Sequence, residues 1–143
     1  MKILFVCTAN ICRSPMAEYM LKARVGDAAE VASAGVFASG GHAATEHCVE
    51  VLKGKGVDGS GHKSQLLVQA MLDGFDLIYC MTKGHINAIQ AKLKPDGKKL
   101  KWIGELTECG DVADPWGGSL ESYEHTYADL LPAIEKLARQ VKK

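Results

Sequence analysis

Within its first 15 residues the chain passes from a buried strand, through a short loop, into the start of a helix. Ile3-Leu4-Phe5-Val6 carries no polar alternation, which is the pattern of a strand covered on both faces, as in a parallel sheet. Ser14-Pro15 reads as a helix opening. Serine is a good N-cap, and proline suits the first helical position, where its missing N–H would find no partner anyway. Cys7 to Arg13 lies between them as a loop. A buried strand feeding a helix is half of a βαβ unit, and this places the chain in the α/β class.

The remaining pattern continues that alternation. Glu30 to Ala34 reads as a second strand closed by Gly35, and Ala43 to Lys53 as an amphipathic helix. Ser64 to Leu72 reads as a short helix and Phe75 to Met81 as a third strand. Thr82 caps a helix reaching Leu93, Leu100 to Ile103 is a fourth strand, and Gly104 to Gly118 is a loop. Ser119 starts a last helix, with Leu120, Tyr123, Tyr127, Leu130, Leu131, Ile134 and Leu137 at spacings of three and four. Pro132 should kink or restart it. Residues 1–143 are expected to form one domain, long enough to bury a core without disulfide or metal support.

Composition narrows the function. Lys plus Arg and Asp plus Glu are each 17, for a net charge of +0, without the basic stripe of a nucleic-acid binder. The lysines at 92, 94, 98, 99 and 101 are interrupted by Pro95, Asp96 and Gly97 and read as a solvated turn. No apolar run approaches the ~20 residues of a membrane span, and no secretory leader is evident. Five cysteines without paired spacing do not form a disulfide framework, so a cytoplasmic protein is expected. No nucleic-acid or membrane partner is expected, and the protein should be a monomer.

Several motifs carry little. Gly54-Lys55-Gly56-Val57-Asp58-Gly59 has the spacing of a dinucleotide fingerprint, but it follows a helix where the fingerprint must follow a strand. It reads as a connector. His42, His47 and Cys48 fit no metal-ligand spacing. His85 and His125 give no signal, and Tyr123 and Tyr127 read as core.

The loop after the first strand is different. In α/β sheets ligands bind beyond the carboxyl ends of the strands, and Cys7-Thr8-Ala9-Asn10-Ile11-Cys12-Arg13-Ser14 begins there. Its backbone N–H groups can curl around an anion while the following helix points its positive end inward. Arg13 offers a planar fork for two phosphate oxygens. The same donors favour the thiolate of Cys7, the reactive form, and Ser14 can donate its hydroxyl to that sulfur. Attack on phosphorus still requires an acid for the departing oxygen. Asp114-Pro115-Trp116 provides a candidate, with Pro115 stiffening the turn and Trp116 able to stack on an aromatic substrate.

The sequence resembles the low-molecular-weight protein tyrosine phosphatase family over almost its whole length. Phe5-Val6-Cys7 through Arg13-Ser14-Pro15-Met16-Ala17-Glu18 resembles the signature loop and first helix. Ser33-Ala34-Gly35, His62-Lys63-Ser64, Asp76-Leu77-Ile78 and Asp114-Pro115-Trp116-Gly117-Gly118 resemble further landmarks in the right order. The resemblance implies a single three-layer α/β domain: a four-stranded parallel sheet, helices on both faces and a phosphate-binding loop after the first strand. It implies hydrolysis of phosphotyrosine in protein substrates through a phosphocysteine, without metal or cofactor, and inhibition by phosphate and related oxyanions. Cys7 would be the nucleophile, Arg13 the phosphoryl clamp and Asp114 the general acid, then base. Thr8, Ala9, Asn10, Ile11, Cys12, Ser14 and Trp116 would form the phosphate and substrate site, with Asn10 shaping the loop through Ser14, Ser33 and His62. Cys12 would trap oxidised Cys7 as a disulfide.

Two positions depart from the family. Ala9 replaces a usual glycine, and a positive φ there would strain the loop. Thr82 stands where many members carry an acidic residue. Arginine phosphatases in the family resemble this chain in the Asp-Pro-aromatic-Gly-Gly-Ser stretch and at Val36-Phe37-Ala38-Ser39. They carry a threonine at the position of Ile11, whereas an aliphatic residue there goes with phosphotyrosine. Protein arginine phosphatase is therefore the alternative. Arsenate reductase is weaker, because Cys80 lacks a second cysteine at Asn87. A non-catalytic phosphate-binding or redox module would not need Asp114.

Overall fold

The central strand is β1, Lys2–Cys7, and Ile3, Leu4, Phe5 and Val6 are completely buried within it. Burying each such side chain contributes about 1.5–3 kcal/mol. The computed structural model describes residues 1–142. After β1 come α1 (Arg13–Val25), β2 (Glu30–Gly35), α2 (Glu46–Gly54), α3 (Gln69–Gly74), β3 (Leu77–Cys80), α4 (Lys83–Lys92), β4 (Leu100–Trp102) and α5 (Leu120–Val141). Short 3-10 turns occupy Gly26–Ala28 and Ile103–Glu105.

The four strands lie in the order β2-β1-β3-β4, and every pairing is parallel. Alternate β1 residues feed two cores. Ile3 and Phe5 meet α1, α2 and α5 through Met16, Leu21, Leu52 and Leu130. Leu4 and Val6 meet Leu72 of α3 and Ile89 of α4. The expected three layers are present. The chain leaves β1 for β2 on one side and returns to β3 on the other, so the order reverses at the carboxyl end of β1. A crevice forms at such a reversal, and the loop 7–13 opens into it.

Local structure departs from expectation where tertiary contacts override propensity. Helix α1 starts at Arg13 with Cys12 at its N-cap, and no side chain caps it. Ser14 lies inside the helix because its hydroxyl is engaged with the loop. Helix α2 begins at Glu46 rather than Ala43, since the Thr45 N–H is held by the Ile11 carbonyl. Residues 64–68 are not helical. Gly35 N–H donates to the Gln65 carbonyl and Leu67 N–H to the Gly35 carbonyl, extending that segment alongside the end of β2 and delaying α3 to Gln69. Strand β3 is shorter than expected, at Leu77–Cys80. Helix α5 is not interrupted at Pro132, where the burial of Leu130, Ala133, Ile134 and Leu137 holds both halves in place.

Candidate active site

At the carboxyl end of β1 the chain turns into α1 around a cavity of about 160 Å³ lined by Cys7, Thr8, Ala9, Ile11, Cys12, Arg13, Asp114 and Trp116. The loop residues reach it because β1 and α1 are fixed on either side. Asp114 and Trp116 arrive from the long loop before α5, 53% and 68% exposed at the mouth.

Cys7 is buried, and its Sγ lies 2.8 Å from Ser14 Oγ. Asn10 Nδ2 donates to that same Ser14 oxygen at 2.8 Å, which leaves the Ser14 proton for the sulfur. Arg13 is buried; Nη1 donates to the Val112 carbonyl at 3.0 Å and Nη2 to Thr8 Oγ1 at 3.3 Å. Val112 in turn donates its N–H to the Met81 carbonyl, so the guanidinium is referenced to the end of β3.

Asn10 turns its side chain away from the cavity. Its amide also donates to Ser33 Oγ at 2.9 Å and accepts from Gln65 N–H at 3.0 Å. The Asn10 carbonyl accepts from His62 Nε2 at 2.7 Å. Ser33 Oγ donates a hydrogen bond to Glu18 Oε1 at 2.6 Å. Asn10, Ser14, Ser33 and His62 thus brace the loop from behind, and none of them lines the cavity. Asn10 is also the one non-glycine residue with positive φ among those described, at 60°. Asparagine tolerates that region better than most residues. The strain anticipated at Ala9 does not arise, because the left-handed residue of the loop is its neighbour.

Four contributors were not foreseen. His85 is buried in α4, 2.8 Å from Thr8 Oγ1 through Nε2. Burial, followed by the Arg13 charge, lowers its pKa to about 4. Its place three residues after Thr82 makes it the partner of a capping box, which the sequence reading does not use. Tyr123, read as core, puts its hydroxyl 3.3 Å from Cys12 Sγ, and burial raises the Cys12 thiol above its ordinary range. Glu18 and Val112 complete the frame. Cys48 and Cys80 are pushed up to about 12 by burial and are unreactive thiols.

Residues 2–143 match the family described as low molecular weight phosphotyrosine protein phosphatase. The chain belongs to that family. Members are hydrolases that work through a phosphocysteine. Over its whole length this phosphatase is 40% identical to the protein-arginine-phosphatase of Bacillus subtilis, covering 98% of that protein. It is 33% identical to the low molecular weight protein-tyrosine-phosphatase Etp of Escherichia coli, over 99% of this chain and 95% of Etp. Among solved structures, a YwlE arginine phosphatase mutant with a phosphorylated active-site serine superimposes with a TM-score of 0.93 at 38% identity. That match covers 100% of this chain and 97% of the other.

Proposed function

We propose that this phosphatase hydrolyses phosphotyrosine in protein substrates, with Cys7 as nucleophile. Arg13 and the loop hold the phosphoryl group, and Cys7 Sγ attacks phosphorus. Asp114 protonates the departing phenolic oxygen and then takes a proton from the water that hydrolyses the phosphocysteine. Ser14 stabilises the sulfur as it leaves. The observation that carries the preference is the wall of the cavity: aliphatic Ile11 and aromatic Trp116 line it together with Cys7 and Arg13, a lining suited to a flat apolar ring. The second reading, phosphoarginine, is favoured by the 40% identity to a protein-arginine-phosphatase. Arsenate reduction has less support: Cys80 is completely buried, and Asn87 stands on α4 where the relay cysteine would be needed. Thr8, Ala9 and Cys12 line the phosphate pocket, the reaction uses no metal, and five free cysteines suit a reducing cytoplasm.

Phosphotyrosine and phosphoarginine peptides assayed side by side, with a chelator present, test this. Ile11 offers no partner to a guanidinium, and an unpartnered buried polar group costs ~1–3 kcal/mol, so a tenfold to hundredfold preference for phosphotyrosine is expected on the order of that cost. Ile11→Thr should shift the ratio toward phosphoarginine. Faster turnover of phosphoarginine by the native protein would replace the first reading with the second.

A further inference from the structure

His85 lies on α4, remote in sequence from the cysteine loop, yet its ring bridges the helix cap and the cavity wall. A neutral imidazole has one donor and one acceptor nitrogen. Nδ1 faces the Thr82 backbone N–H at 3.2 Å and Thr82 Oγ1 at 3.1 Å. A backbone N–H can only donate, so Nδ1 accepts and the ring proton sits on Nε2. Thr82 Oγ1 accepts from the His85 N–H at 3.2 Å, closing a capping box that holds the ring in this orientation. The α4 cap therefore sets the tautomer.

Nε2 is 2.8 Å from Thr8 Oγ1 and donates to it. Arg13 Nη2 donates to the same oxygen at 3.3 Å. A hydroxyl has two acceptor sites and one proton. With both acceptor sites occupied by buried donors, the Thr8 proton must take the remaining direction, and Thr8 lines the cavity beside Cys7 and Arg13. In the opposite tautomer Thr8 would donate to the ring, and its proton would be lost to any ligand. We propose that His85 is a positioning residue that commits the Thr8 hydroxyl to donate its proton to an oxyanion in the cavity. Burial and the neighbouring Arg13 charge hold the ring neutral, as this arrangement requires.

This rests on the reading of the Cys7 loop as the active site, and the experiment separates the two. Hydrolysis of an aryl phosphate surviving in Cys7→Ser would remove that reading regardless of His85. For His85 itself, kcat, KM and the inhibition constant of inorganic phosphate are measured for Thr8→Val, His85→Asn, His85→Gln and the Thr8→Val/His85→Asn double variant. A lost hydrogen bond to a charged group predicts about tenfold to hundredfold weaker phosphate inhibition in Thr8→Val. His85→Asn should show a similar loss, and the double variant should be no worse than Thr8→Val. His85→Gln, whose amide can still donate to Thr8, should recover most of the affinity. Losses that multiply in the double variant, or native phosphate inhibition in His85→Asn, would overturn the proposal. Nitrogen-15 NMR of the native protein gives a test independent of any variant's folding. A His85 proton on Nδ1, or exchange between tautomers, would overturn it; a proton fixed on Nε2 supports it.

Discussion

Asp114 Oδ2 stands 3.7 Å from Arg13 Nη2, an exposed carboxylate at the cavity mouth facing a buried guanidinium. An ion pair with one solvated partner contributes little to stability. The loose pairing therefore leaves the carboxylate available to a substrate. Its other oxygen accepts the Trp116 N–H at 3.1 Å, which holds the carboxylate over the cavity while Pro115 is buried beneath.

Asp114→Asn should keep the fold and lose roughly 10²–10⁴ in kcat, the usual scale for general acid catalysis. The loss should grow as the leaving group becomes more basic, because a good leaving group departs without a proton. A series of aryl phosphates measures this. An equal loss across the series would show that Asp114 only shapes the loop.

Cys12 shares the cavity with Cys7, and its thiol is held by Tyr123 Oη and, more distantly, by Thr45 Oγ1. Peroxide should convert Cys7 to a sulfenic acid, which Cys12 then captures as a disulfide with loss of water. Native enzyme should regain activity with thiol, and peptide mapping should find the Cys7–Cys12 link. Cys12→Ser should hydrolyse phosphate esters but recover poorly after the same treatment. Recovery equal to native would exclude the protective role.

Gly35 pairs with Cys7 in the sheet register, and a Cβ there would fall 2.5 Å from the Thr8 carbonyl oxygen and 2.9 Å from Asn10 N. Both are backbone atoms of the loop, so the loop itself would have to move. Gly35→Ala should destabilise the protein by about 1–3 kcal/mol, the range for overpacking, and reduce turnover by more than the stability loss explains. Urea unfolding with parallel kinetics checks both. Native values would mean that the loop is not clamped by β2.

Folding lowers the His85 pKa from 6.5 to about 4, through burial first and the Arg13 charge second, against the weaker opposing influence of Asp111 and Asp114. Between those values the unfolded chain binds the extra proton. The contribution of the neutral ring is therefore fully present above about pH 6.5 and is lost as pH falls toward about 4. Urea midpoints measured across that window should decline with acid, and His85→Gln should flatten the decline. An unchanged slope in the variant would place the acid sensitivity elsewhere.

The most legible part of the site was the part that is continuous in sequence. Cys7 to Ser14 could be read as a strand–loop–helix unit with a thiol at one end and a guanidinium at the other, because strand burial and helix initiation are local properties. Local pattern places helix starts at Ala43 and Ser64, whereas the helices begin at Glu46 and Gln69, since the Thr45 and Gln65 backbones bond to partners far away in the chain. The spacing of Ser33 and His62 indicates no role; only the family resemblance points to them, and the fold places both behind the loop.

By itself the sequence determined the α/β class and singled out Cys7, Arg13 and Asp114, which the fold brings to one cavity. Only the tertiary structure decided which groups orient them. Parallel strands require long crossovers, so the neighbours of β1 come from distant stretches of chain. His85 reaches Thr8 from the helix after β3, and Tyr123 reaches Cys12 from the last helix. Their pairing depends on how the layers stack over the sheet, a relation that periodicity along the chain does not encode.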